Sequence, residues 1–156
     1  MKAVIQRVTF AQVKVEGKVL GEIENGFLIL LGVCEGDTEN ESKLLADKTA
    51  KLRIFNDDAG KMNLSLLDFK DNKKPCSVLV ISQFTLCANT RRGNRPDFFA
   101  AAKPETAKKL YELFAERLSN EHGIVTKTGE FGADMKVSLL NDGPVTIILD
   151  TDDMKK

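Results

Sequence analysis

The stretch that most restricts the fold is "FLILLGVC", Phe27 to Cys34, which is apolar at odd and even positions alike. A strand with one wet face alternates apolar and polar residues, so a strand apolar on both parities needs cover on both faces. Val78 to Ile81, "VLVI", makes the same demand. Two such strands require a sheet packed on each side, by helices or by the sheet curling over itself. With 156 residues the chain can do this in one domain, burying roughly two-thirds of its unfolded surface. No repeat or Pro/Gly/Ser-rich linker divides it, which makes residues 1–156 a single unit with about 151–156, "TDDMKK", as a solvated tail.

The other elements follow from local pattern. Val4, Val8 and Phe10 share one strand parity and Val13 and Val15 the other, which predicts a bulge near Ala11–Gln12. Glu16-Gly17 and Asn25-Gly26 are hairpin signals, and 56–61 reads as a turn between short extended pieces. Thr38 and Glu41 have capping-box spacing and open a first helix with Leu44, Leu45 and Leu52 as its stripe. A second helix starts with Pro104 at its first position, carries Ala107, Leu110, Tyr111, Phe114 and Leu118 on one face, and ends at Gly123. Strands resume at Ile124, and Val145–Leu149 reads as a buried last strand. The expected class is α/β: a mixed or antiparallel, barrel-like sheet with two main helices.

Composition excludes several kinds of function. Twenty-three basic and 23 acidic residues leave no global attraction for nucleic acid, although a local basic patch is still open. No apolar stretch approaches a membrane span, and "MKAVIQRV" lacks the apolar core of a signal peptide, so a cytoplasmic protein with no membrane partner is expected. Three cysteines without CxxC spacing read as free thiols, with Cys34 and Cys87 buried. The single histidine, His122, lies beside a helix C-terminus, where capping competes with any role as a base. The carboxylates, including Asp150, Asp152 and Asp153, show no metal spacing, and no phosphate loop is present. Neither metal nor cofactor is expected.

Three short stretches remain. "SQFTL" (82–86) brings polar groups out of a buried strand. Alternation puts Ser82 and Phe84 on one face and Gln83 and Thr85 on the other, so Ser82 and Thr85 share a pocket only if the strand ends there. Hydroxyls bonded to nearby backbone are the competing reading. "NTRRGNRP" (89–96) crowds Arg91, Arg92 and Arg95 around a glycine, as a phosphate clamp or a generic exposed loop. "LLNDGPVTIIL" sets Asn141, Asp142, Gly143 and Pro144 between apolar runs, as a turn with a stiff exit or as a rigid tool.

Taken with "MKAVIQRV", "GKMNLS" (60–65), "TRRGNRPDF" and "GEFGADMKVSLLNDGPVT" (129–146), these stretches give a chain that resembles the D-aminoacyl-tRNA deacylase family almost end to end. The resemblance implies a homodimer that hydrolyses D-aminoacyl-tRNA, and glycyl-tRNA as well, in translation quality control. It implies that backbone amides around Gln83 and Phe84 hold the oxyanion, that Ser82 and Thr85 shape the site, and that the substrate's terminal 2′-OH activates water. It further implies a cis Gly143–Pro144 bond inserted into the partner subunit's site to reject L-amino acids. Asn141, Val145 and Thr146, with Arg91, Arg92 and Arg95, fall in the family's substrate and tRNA contacts. A non-catalytic RNA-binding module using the arginine loop, and a hydrolase of other small esters, are the alternatives.

Overall fold

The computed structural model describes residues 1–73 and 75–154. Strand β1 (Lys2–Val15) organises it. Its residues 2–8 pair antiparallel with β3 (Gly26–Gly32) and its residues 11–15 with β2 (Lys18–Ile23). Its other edge pairs antiparallel with β8 (Lys136–Asp150) over nearly its whole length. Helix α1 (Glu39–Ala50) and a small hairpin of β4 (Phe55–Asn56) and β5 (Met62–Leu64) connect β3 to β6 (Ser77–Ser82), which pairs parallel to it. After α2 (Pro104–Glu116), β7 (Val125–Thr128) pairs parallel to β6. The order is β2-β1-β3-β6-β7, with β8 on β1. Gly21 of β2 lies so near β7 that a Cβ there would be 3.0 Å from the Thr128 carbonyl oxygen, so the mixed sheet nearly closes into a barrel. This is one α/β domain.

The two apolar parities of the central strands serve two cores. Phe27, Ile29 and Leu31 of β3, with Val78 and Val80 of β6, pack against Leu45 of α1, Leu110 and Phe114 of α2, and Leu118 just beyond it. Leu28, Leu79 and Ile81 face the barrel interior, with Val8, Ala11, Val13 and Ile23. Both layers expected from "FLILLGVC" are present: helices outside, the curled sheet inside. A fully buried Leu or Phe side chain contributes about 1.5–3 kcal/mol, so these strands anchor the fold.

The caps formed as their sequences require. The Thr38 hydroxyl accepts from the Asn40 N–H at 3.2 Å, and the Glu41 carboxylate accepts the Thr38 N–H at 2.7 Å. Pro104 begins α2, whose five-residue apolar stripe is buried throughout. A π turn, Arg117–Glu121, extends it, and Gly123 leaves at φ +67° with its N–H on the Ser119 carbonyl. Asp57 orders the β4–β5 turn by accepting the Ala59 and Lys61 N–H groups, each at 3.0 Å.

Six expectations change. Asn25-Gly26 closes no hairpin, because β2 and β3 both pair with β1 instead of with each other. The irregularities of β1 fall at Gln6/Val8, Val8/Phe10 and Val13/Lys14, while Ala11 and Gln12 pair regularly. The inward residues are Val8, Ala11 and Val13, so the parity switch lies before Ala11; Phe10 is half-buried and misled the count. Leu44 is exposed and Leu52 lies past the helix, so α1 packs through Ser42, Leu45, Ala46, Thr49 and Ala50. The last strand is an edge, not a buried strand, with Ile148 74% exposed. Thr151–Met154 is a 3-10 turn rather than a solvated tail: Thr151 is fully buried and its N–H donates to the Met1 carbonyl. Residues 155–156 lie outside the described residues. All three cysteines are free thiols, but Cys34 is only half-buried.

Gly26 gives the sharpest test of this packing. Its φ is +148°, and a Cβ there would sit 1.8 Å from the Ser77 carbonyl oxygen, inside the β3–β6 junction. Gly26→Ala should cost about 3 kcal/mol or more, read as a lowered urea midpoint, because both the conformation and the space are missing.

Candidate active site

Strand β6 stops at Ser82 because the next residue turns. Gln83, at φ −145° and ψ 80°, still donates its N–H to the Leu31 carbonyl at 2.8 Å, extending the parallel ladder by one bond. A 3-10 turn, Phe84–Cys87, follows, with Leu86 N–H on the Gln83 carbonyl and Ala88 N–H on the Thr85 carbonyl. The N–H groups of Phe84 and Thr85 head this turn without a backbone partner among the described residues, as the first groups of any helical turn must. The amide of Gln83 is therefore spent on the sheet, and the free donors are its two successors.

This strand end opens into a cleft of about 690 Å³. Ser82, Gln83 and Phe84 line it, facing Gln6 of β1, Tyr111 of α2 and Phe131 of the loop before β8. Its walls are mostly apolar, which strengthens any hydrogen bond made inside. Thr85 stays outside the lining, exposed, and accepts a 2.6 Å hydrogen bond from the Gln83 side-chain amide. The Phe84 ring, 57% exposed, meets Phe98 edge to face with centroids 5.1 Å apart.

The cleft offers little acid or base. Burial pushes the Tyr111 phenol up to about 12, and its hydroxyl donates to the Val80 carbonyl at 2.9 Å, so it keeps its proton at neutral pH. Asp134 is paired with Lys136 at 3.0 Å. His122 lies outside the lining; its Nε2 is 2.8 Å from Asp47 Oδ1, tying the end of α2 to α1. Among the described residues no group of three or more His, Cys, Asp or Glu side chains is set to hold a metal.

The remaining sequence candidates sit elsewhere. Arg91, Arg92 and Arg95 are exposed at the tip of a loop closed by mutual Asn89–Asp97 backbone bonds of 2.9 and 3.1 Å. Gly143 and Pro144 are exposed, joined by a cis peptide, and absent from the lining of their own chain's cleft, as are Asn141, Val145 and Thr146. They form a bend inside β8, between Asn141, opposite Val8, and Thr146, opposite Gln6. Arg7 holds this bend from beneath. It is only 7% exposed; its Nε donates to the Asp142 carbonyl at 3.2 Å and its Nη1 to the Ile54 carbonyl at 2.7 Å. Gly143 lies so close that a Cβ would be 3.1 Å from Arg7 Nη2. The sequence reading passed over Arg7, although a charge on the buried parity of Ala3 and Ile5 was the signal for it.

The sequence pattern of the D-Tyr-tRNA(Tyr) deacylase family matches residues 4–150. The chain belongs to that family. D-aminoacyl-tRNA deacylases of Thermosipho melanesiensis and Fusobacterium nucleatum are 54% and 57% identical to it. The alignments cover 97% of both chains in the first case, and 98% of this chain and 97% of the relative in the second. A solved structure described as a c-Myc DNA unwinding element binding protein superposes with a TM-score of 0.87 at 41% identity, over 96% of this chain and 98% of that one. Another, described as a probable eukaryotic D-amino acid tRNA deacylase, gives 0.78 at 14% identity, over 95% and 97%, and speaks for the fold alone. Within the deacylase family fold, then, the strand end 82–85 and the bend 141–146 are separate surfaces of one chain.

Arg7→Met should leave the Ile54 and Asp142 carbonyls without their donor and cost about 1–3 kcal/mol. Hydrogen exchange should accelerate at 141–146 and stay unchanged in β3 and β6. Uniform acceleration would make Arg7 a general core residue instead.

Proposed function

We propose that the protein hydrolyses the ester joining a D-amino acid to the 3′ end of tRNA, releasing tRNA and amino acid as a step of translation quality control. The observation that carries this reading is the strand end at Ser82–Thr85 opening into an apolar cleft, in a chain whose full-length relatives are named D-aminoacyl-tRNA deacylases. Ester hydrolysis passes through a tetrahedral oxyanion. The N–H groups of Phe84 and Thr85 are the donors for it, each worth about 2.7–4 kcal/mol if well aimed. Ser82 and the Gln83 and Thr85 side chains shape the site around them. Tyr111 keeps its proton and the cleft lining holds no histidine, so this reading takes the base from the substrate: its terminal ribose 2′-OH activates the water.

Chirality is read by Gly143–Pro144 of a second copy. The pair is exposed, lies off its own cleft, and is held from below by Arg7, which suits a rigid probe for another subunit's site. The same strand exposes Leu140 (62%) and Ile148 (74%), apolar surface that a second copy would cover. Backbone at this bend captures the α-amino group and occupies the space of an L side chain, so L substrates are refused by clash. Glycine has no side chain to refuse, and glycyl-tRNA is therefore a substrate too. Asn141, Val145 and Thr146 flank the probe, while Arg91, Arg92 and Arg95 meet the phosphates of the acceptor end. Among the described residues no helix is long and apolar enough to cross a membrane. The cytoplasmic setting proposed for the protein follows from its tRNA substrate. The RNA-binding alternative rests on the arginine loop and on the nucleic-acid-binding description of the 41% identical solved structure, and neither calls for the cleft at the strand end.

Matched D-, L- and glycyl-tRNA, offered in excess over enzyme and run beside sedimentation of the same sample, test this reading. D and glycyl substrates should turn over, L should not, and the sample should sediment as a dimer. Equal rates on both enantiomers, or full activity from a stable monomer, would reject the chirality reading. A 2′-deoxy terminal ribose should make the substrate inert. His122→Ala should change the rate by less than about tenfold, the equivalent of ~1.4 kcal/mol of barrier.

A further inference from the structure

Cys34 follows β3, and Cys87 ends the 3-10 turn that begins at Phe84. Their sulfurs are 2.7 Å apart, and both are thiols. The two differ in access. Cys87 is 4% exposed, with its S–H also within 3.4 Å of the Val33 carbonyl, whereas Cys34 is half-buried and reaches solvent. They differ in acidity as well. The hydrogen bond from Cys87 holds the Cys34 thiol below its ordinary range, helped by the Met1 amine and Lys2 and opposed by burial and Asp37. That hydrogen bond and burial push Cys87 up, so Cys34 is both the more accessible and the more acidic sulfur of the pair.

We infer that Cys34 and Cys87 are a redox modification site: a small peroxide oxidises Cys34, and Cys87 closes the product to an intramolecular disulfide that shifts the catalytic turn and slows deacylation. The Cys34 thiolate attacks one peroxide oxygen, the O–O bond breaks, and the departing hydroxide takes a proton to leave as water. With Cys34 now a neutral sulfenic acid, its charge no longer opposes ionisation of Cys87, which gives up its proton as its sulfur attacks the sulfenic sulfur. The S–S bond forms, the S–O bond breaks, and a second water carries off the Cys87 proton. Two thiols are oxidised and one peroxide is reduced. In a reducing compartment such a bond is transient, which suits a sensor.

The coupling to the cleft is steric, and its effect on rate rests on the role proposed for the Phe84 and Thr85 amides. The turn sits on β3 without slack. A Cβ at Gly32 would be 2.9 Å from Leu86 Cβ and 3.0 Å from the Gln83 carbonyl oxygen. Drawing Cys87 to bonding distance of Cys34 moves a four-residue turn that begins with the oxyanion donors. The sulfurs close by about 0.65 Å, from 2.7 Å to the ~2.05 Å of a disulfide, a sizeable part of the ~1 Å misplacement that costs about 100-fold at a positioned site.

The test treats the purified full chain with hydrogen peroxide and follows peptide mass and D-aminoacyl-tRNA deacylation together. The expected product is a linked Cys34–Cys87 peptide pair, lighter by two hydrogens, with Cys76 still a thiol. The rate should fall at least about tenfold and return with dithiothreitol. Cys34→Ser, outside the turn, should keep the untreated rate and lose the response, and Cys87→Ser should yield no linked peptide pair on treatment. Cys34 driven to sulfinic acid while Cys87 remains a thiol would overturn the site. Complete disulfide with an unchanged rate would overturn its link to the cleft. Because the mass readout needs no activity, an untreated enzyme without turnover would count against the proposed function and leave the thiol result to be judged separately.

Discussion

Hydrogen bonding along both edges of β1 is the constraint on which the remaining structure depends. Residues 2–6 have partners in β3 and β8 at once, and farther along β2 takes over from β3. A strand used this way cannot slip without breaking three pairings. It also belongs to both cores, with Ala3 and Ile5 under the helices and Val8, Ala11 and Val13 inside the barrel. The parity switch between Val8 and Ala11 lets one strand do both. Just before the switch, Gln6 reaches the cleft and its neighbour Arg7 the underside of the β8 bend, so the two candidate surfaces are tied to consecutive residues of one rigid strand.

Much of the fold was legible wherever a residue's own neighbours decide its conformation. Phe27–Leu31 and Val78–Ile81 announced two covered faces, Thr38 and Glu41 a helix start, and Pro104 to Gly123 a helix with its stop. What was misread depends on partners far away in sequence. Phe10 is apolar but only half-buried, so it pulled the bulge to the wrong place. Val145–Leu149 looks like a core strand, yet it lies at the sheet edge with Ile148 in solvent. Thr151 reads as a polar tail residue and is buried because the Met1 end packs over it.

The candidate site divides in the same way. That "SQFTL" marks a strand end was readable from hydroxyls following "VLVI", and the structure opens that end into the cleft. Which amides are free was not readable, since the Gln83 N–H is claimed by Leu31, a residue 52 positions earlier in β3. Arg7 was missed for a related reason. Its partners, Ile54 and Asp142, are brought to it only by the β4 segment and the register of β8.

Under the backbone-amide reading, the cleft has an uncommon map of genetic vulnerability. A main-chain donor is present whatever side chain the residue carries, proline excepted, so replacing residues 82–85 one at a time by any other residue trims the active surface without deleting its chemistry. The fragile positions are those where any side chain would push the turn aside. Gly32 is one of them: its missing Cβ is the space in which Leu86 and the Gln83 carbonyl rest. Inactivating substitutions would then gather at small residues beneath the site, and a survey of the residues that face the substrate would underestimate how easily the enzyme is lost.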